Sequence, residues 1–389
     1  MNIVVIGNGM YVSGRGTNGY GTVIPAILEY KRSGGKVTKV YIIGTNKNNS
    51  IEAKDKALSL IKETGVEIKL ETYPNKERLN KNIYKEVLSK IAQPACAIIA
   101  VPDHLHFTVT KETLNSGFHS LVVKPFTTKL EDGKELCKLA RNKNLYGAVE
   151  FHKRWDRQNI ILKDSFKNGI IGDPLYSIIE YSQRKSIPEY HFSEWVTKTN
   201  ILQYLGVHYI DLIHFITGAK PKRTMAVGQK NWLKSQKIDT YDSIQCLIEW
   251  EMKKGSHFIQ SIHVNWIDPE TSSAASDQKL KFIGTKGRVE LDQKDRGLSI
   301  IRDNNFAEHI NPDFCRSFIG DGKNKFYQGY GIDSIKTFLK DINQIRIGKK
   351  SPIDFENKRP TFKSALISVS IIEKAQQSLD NNNSWISIK

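Results

Sequence analysis

The stretch that most constrains this chain lies at its start, where Asn2-Ile-Val-Val-Ile6 runs directly into Gly7-Asn-Gly9. A short β-branched apolar run that does not alternate with polar residues predicts a strand buried on both faces, as in a parallel sheet. Glycines immediately after such a strand let the backbone turn tightly and approach a pyrophosphate, with a helix N-terminus facing the anion. Gly7, Gly9 and Met10 are therefore the expected phosphate-side cofactor residues, although a glycine-rich turn is often only a turn. The third glycine of a Gly-x-Gly-x-x-Gly pattern would fall at position 12, which is Val12. A complete copy begins only at Gly14, so residues 13–21 read as an inserted glycine-rich loop. A helix is expected over 22–33. Thr22 would be its cap, Pro25 would lie in its first turn, and Ala26, Ile27 and Tyr30 would form its apolar stripe before the stop at Gly34-Gly35.

The chain has 389 residues, enough for two domains with sizeable cores. Its 58 Lys and Arg against 41 Asp and Glu give a net charge of +17, which suits anionic partners: a dinucleotide, a phosphorylated or nucleotide-linked substrate, or nucleic acid. The basic residues are dispersed, with no basic arm, so a solvated lysine-rich surface is the favoured account of them and no nucleic-acid partner is expected. Cys96, Cys137, Cys246 and Cys315 lie far apart without Cys-x-x-Cys spacing, which predicts reduced thiols and neither a disulfide frame nor a metal site. With a strand at residue 2 and no long apolar run, a cytoplasmic protein without a membrane partner is expected.

Strands are expected over 37–44, 67–72, 95–101 and 120–123, alternating with helices over 51–64, 79–92 and 108–116. That alternation predicts an α/β unit with a right-handed parallel sheet. In such a unit an acid at the end of the second strand usually binds the adenosine ribose. Here the strand ends Gly44-Thr45-Asn46-Lys47, and these hydroxyl, amide and ammonium groups suit a 2′-phosphate, favouring NADP(H) over NAD(H). The apolar run over 95–101 leads into Pro102-Asp-His-Leu-His106, and the strand over 120–123 into Lys124-Pro125.

These motifs, in this order, resemble the glucose–fructose oxidoreductase/inositol dehydrogenase (Gfo/Idh/MocA) family. Lys153-Arg-Trp155, Gly169-Ile-Ile-Gly172 and Leu205-Gly-Val-His-Tyr-Ile-Asp211 extend the resemblance over essentially the whole chain. It implies that Val101, Pro102, His106, Lys124 and Pro125 border the cofactor. Lys124-Pro125 resembles the family's Glu-Lys-Pro signature, with Val123 in place of the glutamate. The family's lysine contacts the nicotinamide ribose and assists proton movement. Independently of the family, a lysine at the C-terminal end of a central parallel strand faces the ligand crevice; the alternative is a side chain reaching to solvent.

His208 matches the family's catalytic histidine, and imidazole titrates near working pH. Tyr204 stands where many members carry an aspartate one turn earlier, which weakens an inositol-type assignment; it could bind substrate or simply fill space. Asp211 could orient His208 or act as a cap. His152, Lys153 and Arg154 would present donors to an oxygen-rich or phosphorylated substrate. Arg154 could instead pair with Asp156 at a domain junction.

From residue 175 onward the pattern alternates, over 175–182, 223–229, 242–252, 257–266, 278–283 and 288–292. An α+β domain with a large, mainly antiparallel sheet is expected, one face covered and the other making the family's subunit contact. Residues 268–277 read as a mobile loop. Further helices are expected over 334–346 and 362–379, and a terminal strand over 385–388. The reading is thus an NAD(P)-binding Rossmann domain over 1–125 and a substrate-binding and oligomerisation domain over 126–389, assembled as a homodimer or homotetramer. The expected activity is an NAD(P)-dependent oxidoreductase moving hydride to or from a hydroxyl or carbonyl of a sugar, nucleotide-sugar or polyol. A redox-neutral sugar-processing enzyme with tightly held cofactor, or a non-catalytic sensor on the same fold, are the alternatives.

Overall fold

Ile3, Val4 and Val5 have no exposed surface, because the strand they form lies between two others and is covered on both faces. In the computed structural model, which describes residues 1–388 except 77, 321 and 323, the first elements are β1 (Asn2–Ile6), α1 (Met10–Ser13), α2 (Val23–Arg32), β2 (Lys39–Ile43), α3 (Lys47–Thr64), β3 (Leu70–Tyr73), α4 (Ile83–Lys90) and β4 (Ala95–Ile99). There follow α5 (His106–Asn115), β5 (His119–Val123), α6 (Leu130–Asn142), β6 (Gly147–Glu150), α7 (Arg157–Lys167) and β7 (Pro174–Arg184). Next come α8 (Val207–Thr217), β8 (Lys220–Gln229), α9 (Trp232–Ser235), β9 (Ser243–Glu251), β10 (His257–Asp268), β11 (Ser276–Gly284) and β12 (Arg288–Asp292). The chain closes with β13 (Ser299–Arg302), β14 (Asn305–His309), β15 (Arg316–Ile319), β16 (Lys325–Gln328), α10 (Tyr330–Arg346), α11 (Phe362–Asp380) and β17 (Ile386–Ser387).

Two compact units result. The first comprises Met1–Thr127, Glu131–Trp155 and Asp313–Ala365; the second Thr128–Leu130, Asp156–Pro312 and Leu366–Lys389. The first unit therefore reaches past the residue-125 boundary expected from sequence and takes in a distant segment. The reason is apolar: Ile332, Ile335, Phe338, Leu339 and Ile342 of α10 share a core with Val23, Ile24, Ile27 and Leu28 of α2. Each such fully buried side chain contributes roughly 1.5–3 kcal/mol. Arg359 reinforces the packing, its Nε donating to Asp341 Oδ2 at 2.7 Å, and the Tyr146 ring packs on Phe338 and Phe355.

The first unit's sheet runs β3-β2-β1-β4-β5-β6, parallel throughout. The second unit's sheet runs β12-β11-β7-β10-β9-β8-β17, antiparallel except where β7 pairs with β10. Along β9, Ile244, Cys246, Ile248 and Trp250 are buried and their neighbours are not, as the alternation predicts.

Local differences from the sequence reading have physical causes. Thr22 occupies the N-cap of α2 without a side-chain bond to it. The loop over 13–21 is preceded by the short α1, closed by Gly14 in the left-handed region at φ 73°. α3 starts four residues before the expected residue 51, because Asn46 caps it from a polar stretch lacking apolar periodicity. Residues 269–275, read as mobile, carry contacts: Ser272 accepts from Arg184, and Glu270 from the Ser186 hydroxyl at 2.9 Å.

Candidate active site

Strand order reverses between β1 and β4, and in an open parallel sheet ligands bind outside the strand ends at such a switch point. Gly7 and Gly9 lie there for different reasons. Gly7 has φ 118°, and a Cβ on it would stand 2.0 Å from the Ala100 carbonyl oxygen, so the β1–β4 approach itself excludes any side chain. A Cβ on Gly9 would meet nothing within 4 Å. Gly9 is small for no internal reason, and it leaves open space beside the start of α1 where a phosphate backbone would fit. Met10, 39% exposed, begins that helix.

At the end of β2, Asn46 is committed: its Oδ1 accepts from the Asn48 and Asn49 amides at 2.9 and 3.3 Å, capping α3. A ribose contact by Asn46 would therefore run through its Nδ2. Thr45 is exposed and Lys47 partly so; their backbones are fixed by Asn80 N to Thr45 O, 2.8 Å, and Lys47 N to Arg78 O, 3.0 Å.

Beyond β4, Val101 and Pro102 lead to His106, which is 1% exposed. Its Nδ1 lies 2.5 Å from the Pro125 carbonyl oxygen and its Nε2 2.9 Å from that of Val101. The ring clamps two strand-end turns together and so positions residues expected to border the cofactor. The Lys124-Pro125 bond it secures is cis.

Lys124 is partly buried, and burial pulls its ammonium down to about 8, with the Asp103 and Glu150 carboxylates opposing that shift. Asp103, beyond β4, is 4% and Glu150, at the end of β6, 1% exposed, so the cation ending β5 lies within electrostatic reach of two buried carboxylates. Glu150 escaped the sequence reading. It accepts from Ser334 Oγ at 2.6 Å and faces His152 Nδ1 at 3.0 Å, and its charge, after burial, raises the pKa of Tyr11 well above its usual value. The available signal was an acid ending an otherwise apolar strand beside the lysine's strand.

His152 is thus engaged by Glu150 and flanked by the Phe314 and Tyr330 rings, with centroids at 5.2 and 5.6 Å. Lys153 is 2% exposed, and the Arg154 guanidinium lies 5.9 Å from the Phe151 ring. Asp156, weighed as Arg154's partner, pairs with Arg296 instead: Nη1 to Oδ1 at 3.1 Å and Nη2 to Oδ2 at 2.5 Å.

In the second unit, His208 and Asp211 lie one turn apart on α8, 3% and 4% exposed. A wide turn over Leu202–Gly206 feeds this helix, and a Cβ on Gly206 would press on Leu202 Cδ1 at 2.6 Å, which accounts for the glycine before Val207-His208. The Tyr204 ring packs among Phe192, Trp195 and Trp266 with centroids 4.9, 6.0 and 6.0 Å away. That packing fixes the ring of Tyr204 in place. Among the described residues, no group of His, Cys, Asp and Glu is placed to hold a metal, and no helix is long and apolar enough to cross a membrane.

Residues 1–151 match the oxidoreductase family with an NAD-binding Rossmann fold, and residues 161–290 match the GFO/IDH/MocA C-terminal domain. D-glucoside 3-dehydrogenase of Escherichia coli is 25% identical over 166 residues, 41% of this chain and 44% of that protein. The scyllo-inositol 2-dehydrogenase (NADP(+)) of Bacillus subtilis is 28% identical over 115 residues, 29% of this chain and 32% of the relative. An uncharacterized oxidoreductase of Schizosaccharomyces pombe is 37% identical over 76 residues, and the match spans 21% of its length. Among solved structures, scyllo-inositol dehydrogenase of Lactobacillus casei with bound NAD(H) and scyllo-inositol superposes with a TM-score of 0.67 at 16% identity, covering 100% of this chain and 98% of that one. Myo-inositol 2-dehydrogenase of Lactobacillus plantarum does so at 0.67 and 18%, covering 100% and 99%. Two consecutive family domains and a shared fold over the whole chain lead to one conclusion: the chain belongs to the GFO/IDH/MocA oxidoreductase family.

Proposed function

We propose that the chain is an NAD(P)-dependent oxidoreductase acting on a hydroxyl or carbonyl carbon of a sugar, nucleotide-sugar or polyol. The observation that carries this reading is Lys124, a strand-end ammonium drawn down to about 8 by burial, next to the switch point where Gly9 leaves open space. A bound nicotinamide would supply hydride transfer at its ring. Gly7, Gly9 and Met10 hold the pyrophosphate side, Thr45 and Lys47 the adenosine ribose, and Val101, Pro102 and Pro125 the nicotinamide side. Lys124 Nζ, its ammonium drawn down to about 8, orients the substrate oxygen and moves its proton. His208 is the second proton-transfer residue, with Asp211 as its orienting partner. His152, Lys153 and Arg154 recognise an oxygen-rich substrate.

The relatives' names support sugar and cyclitol substrates, and they divide over the cofactor: one is NADP(+)-dependent, another was solved with NAD(H). We favour NADP(H), because no acid ends β2. The protein is proposed to work in the cytoplasm as a homodimer or homotetramer. The test is absorbance at 340 nm with NADPH or NADH against a panel of glycosides, nucleotide-sugars and inositols. Turnover lost in both Lys124→Ala and His208→Ala, with folding retained, supports the reading. Turnover that survives both substitutions sinks it.

A further inference from the structure

The glycine-rich loop between α1 and α2 is held in place. Along α3, residues 52, 56, 59 and 63 recur at helical spacing and present one face. Glu52 accepts from the Gly16 amide at 3.0 Å; the Lys56 ammonium donates to the Thr17 and Gly19 carbonyls at 2.5 and 2.9 Å; Tyr20 meets Ser59 at 3.0 Å and donates to Glu63. The loop also closes on itself, since a Cβ on Gly14 would stand 2.0 Å from the Gly19 carbonyl oxygen. Its backbone is therefore fixed to the helix that begins at the adenosine end of the sheet.

Arg15 projects from this fixed loop, partly buried, with Nε donating to the Asn8 carbonyl at 3.2 Å. Asn8 joins two turns. It is the residue between Gly7 and Gly9, and its Nδ2 occupies the space a side chain at Gly44 would need, 2.1 Å from that position, while bonding Ser50 at 3.3 Å. The guanidinium is thus rooted where the ends of β1 and β2 meet. Among the described residues no carboxylate pairs with Arg15 or with Lys47. Within these residues Arg15 commits its Nε alone, so the outer face of the guanidinium is open to an anion from outside the chain. The β2 end also offers no carboxylate to the ribose: residue 44 has no side chain and Asn46 Oδ1 caps α3.

We propose that Arg15, seconded by Lys47, recognises a phosphate ester on the adenosine ribose and so selects the phosphorylated dinucleotide. This deepens, and rests on, the reading of the first unit as a dinucleotide site. A planar fork that is pre-oriented by its Nε bond suits a dianionic phosphate better than a lone ammonium does.

The test is calorimetric titration of the full-length protein, as wild type, Arg15→Ala and Lys47→Ala, with 2′,5′-ADP and with 5′-ADP, alongside a thermal melt. The expected result is a wild-type preference for 2′,5′-ADP on the order of tenfold or more. Arg15→Ala would remove it with 5′-ADP affinity and melting temperature unchanged, and Lys47→Ala would reduce it. Equal loss of both ligands in Arg15→Ala would assign the guanidinium to the pyrophosphate and overturn the proposal. A wild type that binds both ligands alike, or prefers 5′-ADP, would overturn it while leaving the dinucleotide site standing. Binding of neither ligand would remove the dinucleotide reading as well.

Discussion

Gly7 and Ala100 approach so closely that a Cβ on the glycine would stand 2.0 Å from the Ala100 carbonyl oxygen. This contact sets β1 against β4 at the switch point, and it separates the two turn glycines experimentally. Gly7→Ala must shift backbone and hold alanine at a positive φ, at a cost of about 3 kcal/mol or more. Gly9→Ala points into open space and should change stability by less than about 0.5 kcal/mol. Nucleotide affinity in Gly9→Ala is expected to fall on the order of tenfold. Urea denaturation and dinucleotide titration of both variants check this; a Gly9→Ala protein that binds as tightly as wild type would mean no phosphate passes that point.

Lys124 governs a pH profile. Its folded pKa, about 8, lies below its ordinary 10.5, so the ammonium predominates below pH 8 and the free amine above it. Carbonyl reduction, which consumes a proton, should slow as pH rises through about 8, while alcohol oxidation should slow as pH falls through it. Lys124→Met should lower kcat by about 100-fold or more. The same substitution should raise the melting temperature at pH 7, since it removes a buried charge. Initial rates from pH 6 to 10 and a melting curve test both statements; an unchanged profile in Lys124→Met would exclude this group.

His119 makes an acid-sensitive contribution to stability. Burial lowers its pKa to about 4, and its Nδ1 accepts from the Tyr146 amide at 2.9 Å, a bond only the unprotonated nitrogen can make. Its ordinary pKa is 6.5, so the unfolded chain binds the proton first. Stability is fully present above pH 6.5 and is lost as pH falls toward 4, on the order of 2 kcal/mol. His119→Gln should flatten the dependence of unfolding free energy on pH between 7 and 4.5, measured by urea titration.

Asp156 and Arg296 form a bidentate pair in the second unit with side chains 0% and 3% exposed. Asp156→Asn takes a carboxylate charge away from a buried guanidinium and should cost about 3–5 kcal/mol. Replacing both residues by apolar ones of similar volume should cost much less. A double-mutant cycle measured by denaturation distinguishes these outcomes; additive losses would show that the two charges act separately.

Much of the fold was legible because it rests on local pattern. β1 and β12 have the expected ends, and the other central strands lie within a few residues of theirs, since uninterrupted or alternating apolar runs have few other solutions. The clamp made by His106 was not legible: its ring turns inward to two backbone carbonyls, and no spacing rule reports that. Glu150 was passed over because its partners Ser334 and Tyr11 are remote in the chain. α1 is too short for periodicity, and the hairpins β13–β14 and β15–β16 are mostly exposed, so neither left a burial pattern to read. The anchoring of the glycine-rich loop was visible in principle as a helical repeat of polar residues along α3, but only once its other half is known.

The return of α10 to the first sheet's core has a consequence for how such a protein can be cut and recombined. Residues 1–151 look like a portable cassette, yet Ile332, Ile335, Phe338 and Leu339 cover apolar surface that those residues cannot cover themselves. A fragment ending at 151 would carry a bare hydrophobic stripe along α2 and should aggregate. A chimera that exchanges this half with another protein would have to transplant two separate pieces of chain together, which ties the history of the N-terminal sequence to that of a helix nearly two hundred residues downstream.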